Sequence, residues 1–117
     1  MKIRLNNTEL NVECNAYSPV IYEDTFKGRN FLKDYEKVIT EPTVSTHIRF
    51  LWCFAKTADN SIDDFETFSR SKDILENITE VINTNVVLIT KSLTSSIPKK
   101  KKKTRKSIFS IIHPAKS

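Results

Sequence analysis

Glycine occurs once in 117 residues, at Gly28, and proline four times. So little turn-forming material argues against an all-β sandwich or barrel, whose many tight turns consume glycine, and leaves a mostly helical domain as the default. Cysteine occurs only at Cys14 and Cys53. With no CxxC and no Cys/His ligand spacing, the pair offers no zinc pattern, and free thiols in a cytoplasmic protein are the expected state. The N-terminus has no apolar signal core, and no apolar run approaches the ~20 residues of a membrane span. A glycine-rich phosphate loop is also missing, and no cofactor is expected. The hydrophobic share of 38% is below the globular average, which fits a chain only part of which is packed. The length suits one domain with a modest core.

Charge is unevenly spread. Lys99, Lys100, Lys101, Lys102, Lys103, Arg105, Lys106 and Lys116 all lie beyond Pro98, whereas residues 1–98 hold 11 basic against 14 acidic residues, a balance of −3. The net charge of +5 therefore describes a mildly acidic domain joined to a strongly basic tail. Like charges at that density repel and bury nothing, so the tail is expected to be disordered. Ile108, Phe109, Ile111 and Ile112 form a short apolar patch within it that could dock on a partner or fold back.

The densest apolar run lies between Pro42 and Phe68 and holds the single tryptophan. Val44, Ile48, Leu51, Trp52 and Ala55 recur at the spacing of one helical face, and Phe50 and Phe54 widen it. A break at 57–60 follows. Ser61 is then expected to cap a short acidic helix, with Asp64 as its capping-box partner and Ile62, Phe65 and Phe68 folding back. Upstream, Ile3, Leu5, Leu10 and Val12 alternate with polar residues about Asn6-Asn7, the pattern of a small hairpin. Ser18-Pro19 predicts a helix start with the serine as cap. Phe31, Leu32, Tyr35, Val38 and Ile39 predict a second stripe, with Lys33, Asp34, Glu36 and Lys37 on the solvent side. Pro42 closes that region. From Lys72 to Leu93 a stripe of Ile74, Ile78, Val81, Ile82, Asn85 and Ile89 predicts one long helix covering the Trp52 face.

The expected architecture is α+β, mostly α: a small N-terminal hairpin and about four helices over residues 1–95, then a flexible basic tail over 96–117.

Catalytic constellations are hard to find. His47 and Cys53 lie six residues apart, about 120° around a helix, so they do not face each other as base and nucleophile must. Asp59, Asp63, Asp64 and Glu66 lack the regular spacing and mid-loop glycine of a calcium site and read as capping and solubilising groups. Composition singles out the basic run Lys99–Lys103, Arg105 and Lys106, which suits phosphate backbones but lacks the aromatics that stack bases.

The order of segments resembles a known family. The hairpin is followed by Tyr22-Glu23-Asp24-Thr25-Phe26-Lys27-Gly28-Arg29-Asn30-Phe31-Leu32-Lys33-Asp34, with a lysine set between the family's usual phenylalanine and glycine. Then come Leu51-Trp52-Cys53-Phe54-Ala55-Lys56-Thr57-Ala58-Asp59 and Ser61-Ile62-Asp63-Asp64-Phe65-Glu66. Over roughly residues 1–103 this resembles the tail assembly chaperones of long-tailed phages and prophages of Gram-positive bacteria. The resemblance implies a non-enzymatic protein of the host cytoplasm, absent from the mature virion, that coats the tape-measure protein and recruits tail-tube subunits. It also implies a longer form made by ribosomal frameshifting, for which codons of the Lys99–Lys103 run would be the slippery site. Self-association along the tape measure would add multivalency. Helix-in-groove contacts would fall to Trp52, Phe65, Phe68, Ile74, Ile78 and Val81, residues that also stand at core spacing, where packing is the weightier reading of each. A nucleic-acid-binding accessory protein acting through the lysine-rich tail is the alternative.

Overall fold

The computed structural model describes residues 1–95, with side chains through residue 92. The expectations for the basic tail and its apolar patch lie outside the described residues.

Alternation in the first twelve residues produces the expected hairpin. Strands β1 (Lys2–Leu5) and β2 (Thr8–Asn11) pair antiparallel with Leu5 opposite Thr8 and Lys2 opposite Asn11. Asn6 takes φ +57 in the connecting turn, a left-handed angle that asparagine accepts more readily than most residues. The inward positions Ile3, Leu5 and Val12 are buried. Among the described residues six helices follow: α1 (Tyr17–Thr25), α2 (Phe31–Thr40), α3 (Val44–Ala58), α4 (Phe65–Ser69), α5 (Lys72–Glu76) and α6 (Ile78–Ser95). The class is α+β, mostly α. Helix α3 is the hub, packing against α1, α2, α4, α6 and β2. From Phe50 to Ala55 it is buried all round.

Four local expectations are corrected. Ser18 is not a cap but an interior residue of α1, fully buried, with its hydroxyl bonded to Thr57 Oγ1 across to α3 at 2.9 Å. Asn15 instead accepts the Tyr17 N–H at the helix start. Ser61 does not begin a helix, because Asp59 Oδ1 captures both its N–H and its hydroxyl in a tight local turn. The cap of α4 is Asp64, accepting the Thr67 N–H at 2.9 Å. The long C-terminal helix is split at Asn77, whose side-chain amide donates to the Asp73 carbonyl in competition with the helix ladder. The split frees α5 to turn toward the hairpin, where Asp73 accepts from Thr8 Oγ1 at 2.6 Å. This split, together with the separation of α1 from α2 at Gly28 (φ +85), raises the helix number from about four to six.

The fourth correction concerns Asp34, expected on the solvent side and found 3% exposed. The inward stripe of α2 is Phe31, Asp34, Tyr35 and Val38, at the i, i+3, i+4, i+7 spacing, while Leu32 and Ile39 point outward.

Candidate partner groove

Two sides of α3 differ in chemistry. Toward α1, α2 and α4 lies an aromatic cluster. Tyr22 stacks on Phe50 at 4.9 Å, Phe31 meets both edge-on, and Phe26 makes edge contacts with Trp52 and Phe65. Such geometries contribute beyond the area they bury. The polar atoms here are bonded. Trp52 Nε1 donates to the Asp63 carbonyl at 2.9 Å. Tyr22 donates its hydroxyl to Asp34, whose two carboxylate oxygens also accept the Arg29 guanidinium at 2.7 and 3.0 Å. Arg29 holds the Asp34 carboxyl below the ordinary carboxylate range, helped by Tyr22. Burial, then the neighbouring Asp34, pushes the Tyr22 phenol up to about 12.

The residues expected to contact a partner sit mainly in the hydrophobic core of the domain. Trp52, Phe68, Ile74 and Val81 are buried, and Phe65 and Ile78 are half-buried against it. Trp52 itself is covered by the rings of Phe26 and Phe65. Helix α6 meets α3 at His47, five residues and about 140° away around the helix.

At the α3–α6 seam the chemistry is less complete. Asn85 Nδ2 donates to the His47 carbonyl at 2.9 Å and lies 3.1 Å from His47 Nδ1, with both residues fully buried. Among the described residues His47 Nε2 and Asn85 Oδ1 have no hydrogen-bond partner. Burial holds the imidazole below its ordinary value. Cys53 turns to the other side, donating to the Ser18 carbonyl, and burial with the nearby Cys14 pushes its thiol up to about 12. A thiol held protonated in this way is no nucleophile at neutral pH.

Outside the seam, α6 and the N-terminal segment leave an open groove. One stretch, about 560 Å³, lies between the β2–α1 link and the last turns of α6, floored by Val12 and Leu88 and edged by Met1, Cys14, Ala16 and Ser92. A second, about 280 Å³, continues past Met1 to Ile3, Glu80, Thr84 and Val87. Met1, Val86 and Val87 are exposed apolar side chains on or beside it. The link is fixed from both sides: Glu13 N–H donates to the Phe54 carbonyl of α3, and Ser92 Oγ donates to the Cys14 carbonyl. The groove has an apolar floor and a mixed rim of Glu13, Glu80, Lys2 and Lys91.

None of these residues was singled out as a contact from the sequence. A signal existed in Val86-Val87-Leu88-Ile89, because four consecutive apolar residues on a helix must place some outward.

Among the described residues no group of three or more His, Cys, Asp and Glu side chains could hold a metal ion, and no helix is long and apolar enough to cross a membrane. Three of the acidic residues between 59 and 66 have local duties: Asp59 holds a turn, Asp64 caps α4 and Glu66 pairs with Arg70. A scan against known protein families, and searches among curated proteins and among solved structures, find no match to this chain.

Proposed function

We propose that this chain is a non-enzymatic phage tail assembly chaperone. It binds the tape-measure protein in the host cytoplasm, helps recruit tail-tube subunits and is left out of the mature virion. The observation that carries the reading is the Leu51–Asp59 and Ser61–Glu66 resemblance, which falls on the second half of hub helix α3 and the approach to α4. The groove along α6 supports it physically. A tape measure is a long helical polymer that exposes apolar surface before the tube encloses it, and an apolar groove masks one face of such a helix. Many copies, each weak, hold one polymer by multivalency, with or without contacts between the copies. On this reading the contact is made at Ala16, Val87 and Leu88 of the groove, while Trp52, Phe65, Phe68, Ile74, Ile78 and Val81 serve in packing.

Co-expression with the tape-measure polypeptide of the same genome tests the reading. The partner becomes soluble and co-purifies at high salt if the contact is apolar. A partner that stays insoluble refutes it. The frameshifted longer form is tested on the coding sequence: a Lys99–Lys103 run broken by G at every third position counts against slippage.

The second reading, nucleic-acid binding, is favoured by the eight basic residues beyond Pro98. It predicts retention of nucleic acid at low salt and its steep release as salt rises.

A further inference from the structure

The groove lies beside the point where the described chain stops. Its wall includes Leu88 and Ser92, seven and three residues before Ser95 at the end of α6, about 10 and about 5 Å along the helix axis. Beyond Ser95 come residues 96–107 and then Ile108-Phe109-Ser110-Ile111-Ile112, four apolar side chains in five positions.

We propose that the segment Ile108–Ile112 occupies the groove between α6 and the β2–α1 link of its own chain whenever no partner fills it. The proposal rests on the groove being a docking surface, as the chaperone reading takes it to be.

Three observations carry it. Reach is ample, since twelve residues, 96–107, span about 40 Å when extended and about 19 Å as a random coil, both more than the return to Leu88 requires. Chemistry matches, because an isoleucine- and phenylalanine-rich segment meets a floor of Val12 and Leu88 with Met1 and Ala16 at its edge. Charge matches in sum: the segment follows seven basic residues between Lys99 and Lys106, and residues 1–98 carry −3. Glu13 stands on the rim, although Lys91 stands there too, so the rim alone does not select the segment. Tethering at this length gives a millimolar effective concentration, enough for a contact too weak to matter between separate molecules. A partner that binds the groove more tightly displaces the segment.

Cys14 reports on occupancy, being half-buried at the groove edge, while Cys53 is fully buried beneath. The full chain, with no partner present, is treated with iodoacetamide under native conditions and labelling of each thiol is followed by mass spectrometry. It is compared with the full chain carrying Phe109→Asp and Ile111→Asp. With an effective concentration of ~1 mM against a dissociation constant of ~0.1 mM, Cys14 reacts roughly tenfold faster in the variant. Cys53 stays unlabelled in both. Equal Cys14 rates overturn the proposal. Joint acceleration of Cys53 also overturns it, because the change is then a general loosening. Protection that grows with protein concentration overturns it as well, by assigning the occupant to a second copy. The chaperone reading can fail at co-expression without altering these rates, and these rates can be equal while the groove still takes a partner.

Discussion

On the α1–α2–α4 side of α3, buried polar groups end on partners: Tyr22 on Asp34, Asp34 on Arg29, Trp52 on the Asp63 carbonyl. On the α6 side two buried polar atoms, His47 Nε2 and Asn85 Oδ1, find no partner among the described residues, and α6 also borders an open, largely apolar groove. The first side is aromatic and closed, the second β-branched and incomplete. The difference is one of polar satisfaction: the aromatic flank closes its buried hydrogen bonds, whereas the α6 flank leaves two open and borders the surface proposed for contact.

The sharpest way to break that comparison is to cut into the closed flank. Trp52→Ala removes the indole between Phe26 and Phe65 and its hydrogen bond to Asp63. It should cost about 3–5 kcal/mol, read from the denaturant midpoint of a chemical melt. A cost below 1 kcal/mol would mean that the aromatic flank is not the core.

Asp34→Ala should come next. It strips the acceptor from the Tyr22 hydroxyl and the partner from Arg29, for about 1–3 kcal/mol in the same melt.

At the seam the expected pattern is non-additive. Asn85→Leu alone leaves His47 Nδ1 buried without its partner and should cost about 1–2 kcal/mol. His47→Leu with Asn85→Leu removes both polar side chains and should come close to wild type, a double-mutant-cycle result that two independent losses would contradict.

Acid separates the two flanks by window. Burial lowers the folded imidazole of His47 below its ordinary 6.5, so the unfolded chain takes up that proton first. This contribution is full above pH 6.5 and declines as the pH falls below it. Asp34, held low by Arg29, keeps its contribution above its ordinary value of 3.8 and loses it as acid protonates the folded carboxylate. Melts of the His47/Asn85 double variant between pH 7 and pH 5 should therefore be flatter than those of wild type, while the limb below pH 4 persists. An unchanged slope near pH 6 would remove His47 from the account.

Much of the frame could be read directly from the residues. The Ile3/Leu5 and Leu10/Val12 alternation specifies the hairpin, and Pro42 separates α2 from α3. The hub helix follows from its apolar run, although its inward face is centred on His47, Phe50, Leu51 and Phe54, with Val44 left exposed. What could not be read depends on side-chain partners that hydrophobic periodicity does not register. Asp34 is burial-compatible only because Arg29 and Tyr22 meet it, and Ser18 only because Thr57 does. The break at Asn77 is a contest between a side-chain amide and the helix ladder that periodicity does not register. The groove joins residues 1–16 to residues 80–92, and a surface made by that juxtaposition has no local pattern.

The central claim is that partner contact belongs to the α6 flank. Val87, 46% exposed in the groove, and Leu32, 68% exposed on α2, are apolar surface residues on the two flanks. Changing either to glutamate should leave stability within about 0.5 kcal/mol. The direct measurement is co-purification of each full-length variant with the tape-measure polypeptide at high salt. Val87→Glu is predicted to lose the partner and Leu32→Glu to retain it; loss with Leu32→Glu and retention with Val87→Glu would contradict the account.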